Sequence, residues 1–230
     1  MPGTLIFDVN ETLSDLAPLD DVFAAIGLPA GTSTAWFAAT LRDGFALSLT
    51  TGARSFPDVA EQVLRALLSG HAERVGTVDD GADRVMSTFS RLPVHDDVAA
   101  GVRALAADGH HMVTLSNGSA EYARDLLDRA HVADLFEAFL SVDDVGVWKP
   151  HRRPYEHALS RLSVDAADAA VVAVHPWDLH GARATGLTTV HVDRDATPWP
   201  TVFNEPDIRV GALTELDLSS WHEPRAREHD

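Results

Sequence analysis

The sequence predicts an α/β fold, a doubly wound parallel sheet interrupted near its start by a run of helices. Three observations carry this expectation. Thr4-Leu5-Ile6-Phe7 is an apolar run that stops abruptly at Asp8, and Ala169 to Val174 is a second one; each has the continuous hydrophobicity of a strand buried on both faces. From Pro93 onward, segments of helical period alternate with short strand-like runs, which is the grammar of βαβ units. Between about residues 15 and 92, four segments of helical period follow one another with no strand between them.

Taken in order, Leu19, Val22, Phe23 and Ile26 recur at helical spacing before Gly27 and predict a short helix with a glycine stop. A second helix is expected after Ser33, carrying Trp36, Phe37, Leu41, Phe45 and Leu49, with Arg42 beside that stripe. A third starts near Pro57 with Val59, Val63, Leu64, Leu67 and Leu68, and a fourth covers roughly Asp80 to Leu92. Val98, Val102 and Leu105 give a helix face closed at Gly109, and His111 to Leu115 is a strand ending in Ser116-Asn117-Gly118. A helix over Ala120 to Ala130 leads to a strand at Phe139 to Val142 and a loop with Trp148, Lys149 and Pro150. The helix begun by Pro154 carries Tyr155, Ala158, Leu159 and Leu162, and precedes the 169–174 strand, which ends in His175-Pro176-Trp177-Asp178. Strands at Thr188 to Val192 and Ile208 to Val210 follow, and the polar tail from His222 is expected to fray.

Composition narrows the function classes. With 18 basic and 35 acidic residues the chain carries a formal charge of −17, which repels nucleic acid and anionic membrane; small molecules or proteins are the expected partners. The absence of cysteine excludes disulfides, thiolate metal sites and cysteine nucleophiles. No apolar run reaches the roughly 18 residues of a membrane span, and no signal-peptide pattern precedes the first strand, so a cytoplasmic protein is expected. Lys149 is the single lysine among the 18 basic residues; it offers a compact point charge with three donors where arginine offers a planar fork.

The chemistry-bearing residues gather just beyond strand ends: Asp8, Ser116 with Asn117, Lys149, and Asp178. In an open parallel sheet the ligand crevice lies outside the carboxyl ends of the strands. Each residue alone has a plainer reading as turn residue, helix cap or surface charge. Recurrence at one sheet edge favours a nucleophilic or acid–base site. Adjacent His110 and His111 point to opposite faces of a strand, and His175 with His180 lack the spacing of a helical zinc pair, so no metal site is expected. No Walker loop, dinucleotide fingerprint or Gly-x-Ser-x-Gly elbow occurs, and no organic cofactor is indicated.

Asp8 in Phe-Asp-x-x-x-Thr-Leu, Ser116-Asn117-Gly118, Lys149-Pro150 and Trp177-Asp178 resemble, in order, the four motifs of the haloacid dehalogenase superfamily. The resemblance implies a Rossmann-like core over residues 1–14 and 93–230 with a helical cap over 15–92. Superfamily phosphatases generally carry an aspartate two positions after the nucleophile, as acid–base and magnesium-site residue; here that position is Asn10, and Val174-His175-Pro176-Trp177-Asp178 stands where further acids would lie. The pattern looks like the type II 2-haloacid dehalogenases, which hydrolyse a carbon–halogen bond without metal and whose halide leaves as an anion needing no proton. That branch implies Asp8 as nucleophile, Lys149 holding it ionised, and Asp178 holding Lys149 or positioning the water. It implies Thr12, Ser116 and turn amides bonding Asp8 or the substrate carboxylate, with Arg42 and Asn117 around halide and carboxylate. Asn10, Tyr155, His175 and Trp177 complete the expected site, the substrate being a small 2-haloacid and the assembly a homodimer. Two departures from the branch stand out: better-known members commonly carry Tyr at position 10 and Ser and Asn at 173 and 175, where this chain has Asn10, Ala173 and His175. Its water-positioning network must therefore differ. A magnesium-dependent phosphomonoester hydrolase and a non-catalytic binder of small acids are the alternatives.

Overall fold

A computed structural model describes residues 3–218 and Trp221. The expected fraying from His222 lies outside the described residues. The chain opens with β1 (Thr4–Phe7) and continues through five helices without a strand: α1 (Pro18–Ala25), α2 (Thr32–Thr50), α3 (Phe56–Ser69), α4 (Ala72–Val75) and α5 (Val78–Phe89). Alternation follows, as α6 (Val98–Ala107), β2 (His111–Ser116), α7 (Ala120–Arg129), β3 (Ala138–Ser141), α8 (Arg152–Leu162), β4 (Ala169–Ala173), α9 (Pro176–Ala184), β5 (Thr188–Val192) and β6 (Ile208–Val210).

The six strands form one parallel sheet in the order β3-β2-β1-β4-β5-β6. The connections run outward from β1 on one side and from β4 on the other, so the strand order reverses between these two central strands. That reversal opens a crevice at their carboxyl ends, where Asp8 follows β1. Alternation along β1 splits its side chains between two cores. Leu5 and Phe7 pack with Val102 and Leu105 of α6 and Leu126 and Leu127 of α7, whereas Ile6 packs with Tyr155 and Ala158 of α8 and Leu179 of α9.

The helical segment has its own apolar core, built on Leu19, Phe23, Trp36, Phe56, Leu64, Val85 and Phe89. It meets the rest of the chain through aromatic rings: Phe89 stacks on Tyr122, Phe56 on Trp148, and Phe45 meets Trp177 edge-on. The chain leaves and returns at one place, where the Asp15 N–H donates to the Pro93 carbonyl and the His95 N–H to that of Leu13.

The element boundaries differ from expectation where side chains compete with the ladder. β4 ends at Ala173 because the Val174 N–H donates to the Thr12 hydroxyl at 3.1 Å. Val142 leaves β3 to start a 3₁₀ turn, capped by the Ser141 side chain accepting from the Asp143 N–H. The four-residue α4 and the whole of α9, which starts on Pro176, carried too little apolar periodicity to be anticipated.

Gly44 lets α2 approach the Lys149 loop. A Cβ at this position would lie 2.0 Å from the ring of the buried Trp148. Gly44→Ala is therefore expected to destabilise the fold by about 1–3 kcal/mol through overpacking, measured as a lower denaturant midpoint with an unchanged slope.

Candidate active site

The site starts from a turn with an unusual backbone. After β1, the Asp8 N–H still donates to the Val172 carbonyl, which fixes the residue to the neighbouring strand, and the N–H groups of Leu13 and Ser14 both return to the Val9 carbonyl. Glu11, at the tip of that loop, has φ of 61°, the left-handed region that non-glycine residues seldom occupy. The loop thus holds Thr12 against Asp8 and turns the Glu11 carboxylate back toward the sheet edge.

Asp8 is 4% exposed and both its oxygens are engaged. Oδ1 accepts from Lys149 Nζ at 2.8 Å; Oδ2 accepts from the Thr12 hydroxyl at 2.8 Å and lies 3.0 Å from His175 Nδ1. Lys149 Nζ also donates to Asp178 Oδ2 at 2.6 Å, so one buried ammonium bridges two buried carboxylates. The second oxygen of Asp178 accepts from the Tyr155 hydroxyl at 2.6 Å. His175 Nε2 lies 2.7 Å from Glu11 Oε2, completing a chain from Lys149 through Asp8 and His175 to Glu11.

Burial alone would raise the Asp8 carboxyl, but Lys149 and His175 outweigh it and hold Asp8 well below the usual carboxylate range. Burial likewise works against charge on Lys149, yet Asp178 and Asp8 together keep the ammonium above its ordinary value. For Asp178, burial leads upward, Lys149 opposes it and the Asp8 charge adds to it, with a net upward shift. Asp8 is therefore the carboxylate that keeps its charge most firmly. His175 loses solvation by burial but is pushed up to about 10 by its contacts with Asp8 and Glu11, so it is an imidazolium at neutral pH. Burial beside Asp178 keeps Tyr155 a phenol, able to donate.

The remaining expected residues divide. Ser116 ends β2, and its hydroxyl accepts from the Gly118 N–H at 2.8 Å, shaping the turn before α7. Asn117 braces the Lys149 loop: its Oδ1 accepts from the Lys149 N–H at 2.9 Å and its Nδ2 donates to the Lys149 carbonyl. Trp177 lies over the His175 ring at 4.9 Å and meets Phe45, so it packs the histidine in place. Asn10 is buried with Oδ1 lacking a hydrogen-bond partner, and it lines a cavity of about 250 Å³ with Phe56, Phe89, Gly118 and Tyr122. Arg42 corrects the expectation of a cap arginine at the site: its side chain is 71% exposed and pairs with Asp43, because helical phase turns position 42 away from the stripe that faces the core. From the same helix it is Phe37 that reaches the site, stacking on His175 at 6.3 Å.

Glu11 and the bracing role of Trp148 escaped the sequence; Phe37 was legible only as part of the apolar stripe of its helix. Glu11 offered one signal, a carboxylate three residues after Asp8 in a tight turn. Trp148 was placed only in the loop with Lys149; its N–H donates to the Ser48 hydroxyl and its indole to the Arg54 carbonyl, tying that loop to the helical segment.

Removing the ammonium alone tests this arrangement. Lys149→Met leaves Asp8 and Asp178 buried without their cation, and is expected to cost about 3–5 kcal/mol at neutral pH. In the wild type Asp8 is depressed, so its contribution is present above the ordinary carboxylate value and lost as pH falls. That loss begins only below the ordinary carboxylate value, whereas in Lys149→Met burial without the cation raises the two carboxyls so that they take up protons sooner; the stability gap should therefore narrow as urea unfolding is repeated from pH 7 down to pH 4 through recovery of the variant.

Known proteins match this chain in sequence and in fold. The family model of the haloacid dehalogenase-like hydrolases matches residues 2–186. An (S)-2-haloacid dehalogenase 4A of Burkholderia cepacia is 32% identical over 134 residues, 58% of each chain, and the first curated relatives are matched over only about 60% of their length. A phosphoserine phosphatase of Thermus thermophilus is 31% identical over 164 residues, 69% of this chain and 64% of that one. A solved dehalogenase with an intermediate complex superposes with a TM-score of 0.86 at 26% identity, covering 93% of this chain and 95% of that one. With the ordered motifs at one sheet edge and a family match over most of its length, the chain belongs to the haloacid dehalogenase-like hydrolases.

Proposed function

We propose that this hydrolase removes halide from short (S)-2-haloalkanoic acids, giving (R)-2-hydroxy acids through an ester on Asp8, without a metal. The observation that carries the reading is Asp8 itself: a carboxylate at the switch point of the sheet, kept anionic by Lys149 and oriented by Thr12, followed two positions later by Asn10 where an acid would be needed to protonate a poorer leaving group. The likeness to (S)-2-haloacid dehalogenases supports it.

In this reading an Asp8 oxygen attacks C2 opposite the halogen. The C2–O bond forms as the C2–halogen bond breaks, halide leaves with the electron pair, and C2 inverts. Water then adds to the Asp8 carboxyl carbon and releases the hydroxy acid, so the entering oxygen ends on Asp8. With Arg42 turned to solvent, Lys149 and the His175 imidazolium are the cations nearest the incoming anion. The helical segment 15–92 acts as the cap that closes the site, and a cytoplasmic homodimer belongs to the same proposal.

Magnesium, which phosphatases of this superfamily use, needs several anionic or carbonyl oxygens in octahedral array. The residues present do not fit it: Lys149 Nζ lies between Asp8 and Asp178, position 10 is an amide, and among the described residues no three His, Asp or Glu side chains form a metal-sized group. The similarity to a phosphoserine phosphatase nevertheless makes a phosphomonoester the second substrate class to assay.

The test is halide release from each enantiomer of 2-chloropropionate and from haloacetates in chelator-containing buffer. Release from the (S) enantiomer, abolished by Asp8→Asn, is expected; release from none of these substrates refutes the reading, and magnesium-dependent cleavage of p-nitrophenyl phosphate would replace it. A single turnover in heavy-oxygen water should label Asp8, whereas label appearing first in the product would mean that water attacks C2 directly.

A further inference from the structure

We propose that the cavity beside Asn10 takes the substituent that the substrate carries on C2, and that Asn10 and Tyr122 select a substituent bearing a neutral hydroxyl. The proposal rests on the dehalogenase reading above and narrows its substrate class to 2-halo-3-hydroxy acids.

Asn10 stands where better-known members carry tyrosine, and the exchange leaves an amide in an apolar setting. It is 5% exposed, and its side-chain oxygen is an acceptor without a donor among the described residues. A second polar atom is in the same position. The Tyr122 hydroxyl is buried without a hydrogen-bond partner, with Ser14 and Arg129 the polar groups that face it. Burial pushes this phenol up to about 12, so it keeps its proton at neutral pH and can both donate and accept. Leaving one buried polar atom unpaired costs about 1–3 kcal/mol, and here two border one cavity of about 250 Å³. Inside a packed core such a cost would have no return. At the wall of a cavity two residues along the chain from the nucleophile, it is offset by the group that enters.

The two residues come from different elements and are held independently. Asn10 lies in the turn after β1, where an isolated bridge pairs it with Ser14. Tyr122 lies in the first turn of α7, its ring stacked at 5.5 Å on Phe89, which stacks in turn on Phe56. These rings form the remainder of the wall with Met86, and none of them offers a hydrogen bond at neutral pH.

The lining then decides between substituents. An alkyl group suits the rings but leaves both polar atoms unpaired. A carboxylate would enter a cavity that no basic side chain lines and that Glu121 and Asp125 border. A hydroxyl can donate to the Asn10 oxygen and accept from the Tyr122 phenol. A site built to hydrogen-bond a substrate hydroxyl rejects the analogue lacking it far more strongly than an apolar pocket rejects an added hydroxyl.

The test compares kcat/KM for (S)-2-chloro-3-hydroxypropanoate and its methyl isostere (S)-2-chlorobutanoate, read as chloride release at neutral pH. The hydroxy compound should be preferred at least about tenfold. Asn10→Leu and Tyr122→Phe should each lower that preference at least about threefold. The ratio does not depend on how much of a variant folds, so an unchanged ratio in either one overturns the proposal. A wild type that treats the isosteres alike, prefers chlorobutanoate, or prefers the 3-amino analogue overturns it too. So does chloride released from chloroacetate but from neither isostere. If no haloacid releases chloride, the dehalogenase reading fails and calorimetry with the corresponding hydroxy acids decides the subsite. In that case (R)-2,3-dihydroxypropanoate should bind wild type at least about tenfold more tightly than (R)-2-hydroxybutanoate, with the difference reduced in Tyr122→Phe. Equal affinities for wild type overturn the proposal.

Discussion

Everything at this site depends on one buried ammonium. Lys149 places a single positive charge between Asp8, just after β1, and Asp178, in the first turn of α9, and without it two buried carboxylates would lose the cation they share. The rest of the scaffold reads as means of delivering that charge. Asn117 clasps the Lys149 backbone from both sides, and Trp148, one residue earlier, locks the loop onto the helical segment. Gly181 of α9 leaves room for Pro150 and the Tyr155 hydroxyl, where a Cβ would lie within 2.9 Å of both. A site whose members are all paired in this way is rigid before substrate arrives, which is the condition under which electrostatic stabilisation is most effective.

The two ends of the charge chain behave differently. At the Lys149 end the ammonium and both its carboxylates are buried and paired, so its role is to hold. At the Glu11 end the carboxylate lines a cavity and the buried histidine contacts that carboxylate, so protons can be exchanged there. Asp8 lies between a fixed charge and an adjustable one. Under the proposed function, that asymmetry gives Asp8 one partner that holds its charge and another open to proton exchange.

Much of the fold and part of the site were legible in the sequence. The strand ends at Asp8 and Ser116 stood out because parallel strands are continuously apolar and stop sharply, and the lone lysine stood out by composition. α9 was less visible, since Pro176, Trp177, Asp178 and His180 interrupt any apolar stripe and its order comes from packing on β4 and β5. Arg42 was misplaced because it lies next to Leu41 at the edge of the apolar stripe, and only the packing of α2 on α3 and α1 shows that Leu41 turns inward and Arg42 outward. Asn117 was assigned by type, although an amide braces backbone as readily as it binds a ligand. Glu11 was hidden for a conformational reason: its contact with His175 follows from a positive φ that no residue pattern announces.

The adjoining exit and return of the chain at Leu13–Asp15 and Pro93–His95 has a wider consequence. A segment whose two ends are already neighbours imposes no register on the sheet, whatever its length or sequence. The bond-making groups and the surfaces that admit a ligand therefore occupy separable stretches of chain. With segment 15–92 as the proposed cap, its residues other than Phe37 and Phe56, which pack on His175 and Trp148, can be exchanged to suit a larger or smaller guest while the charge chain below stays in tune, a chassis for diversification.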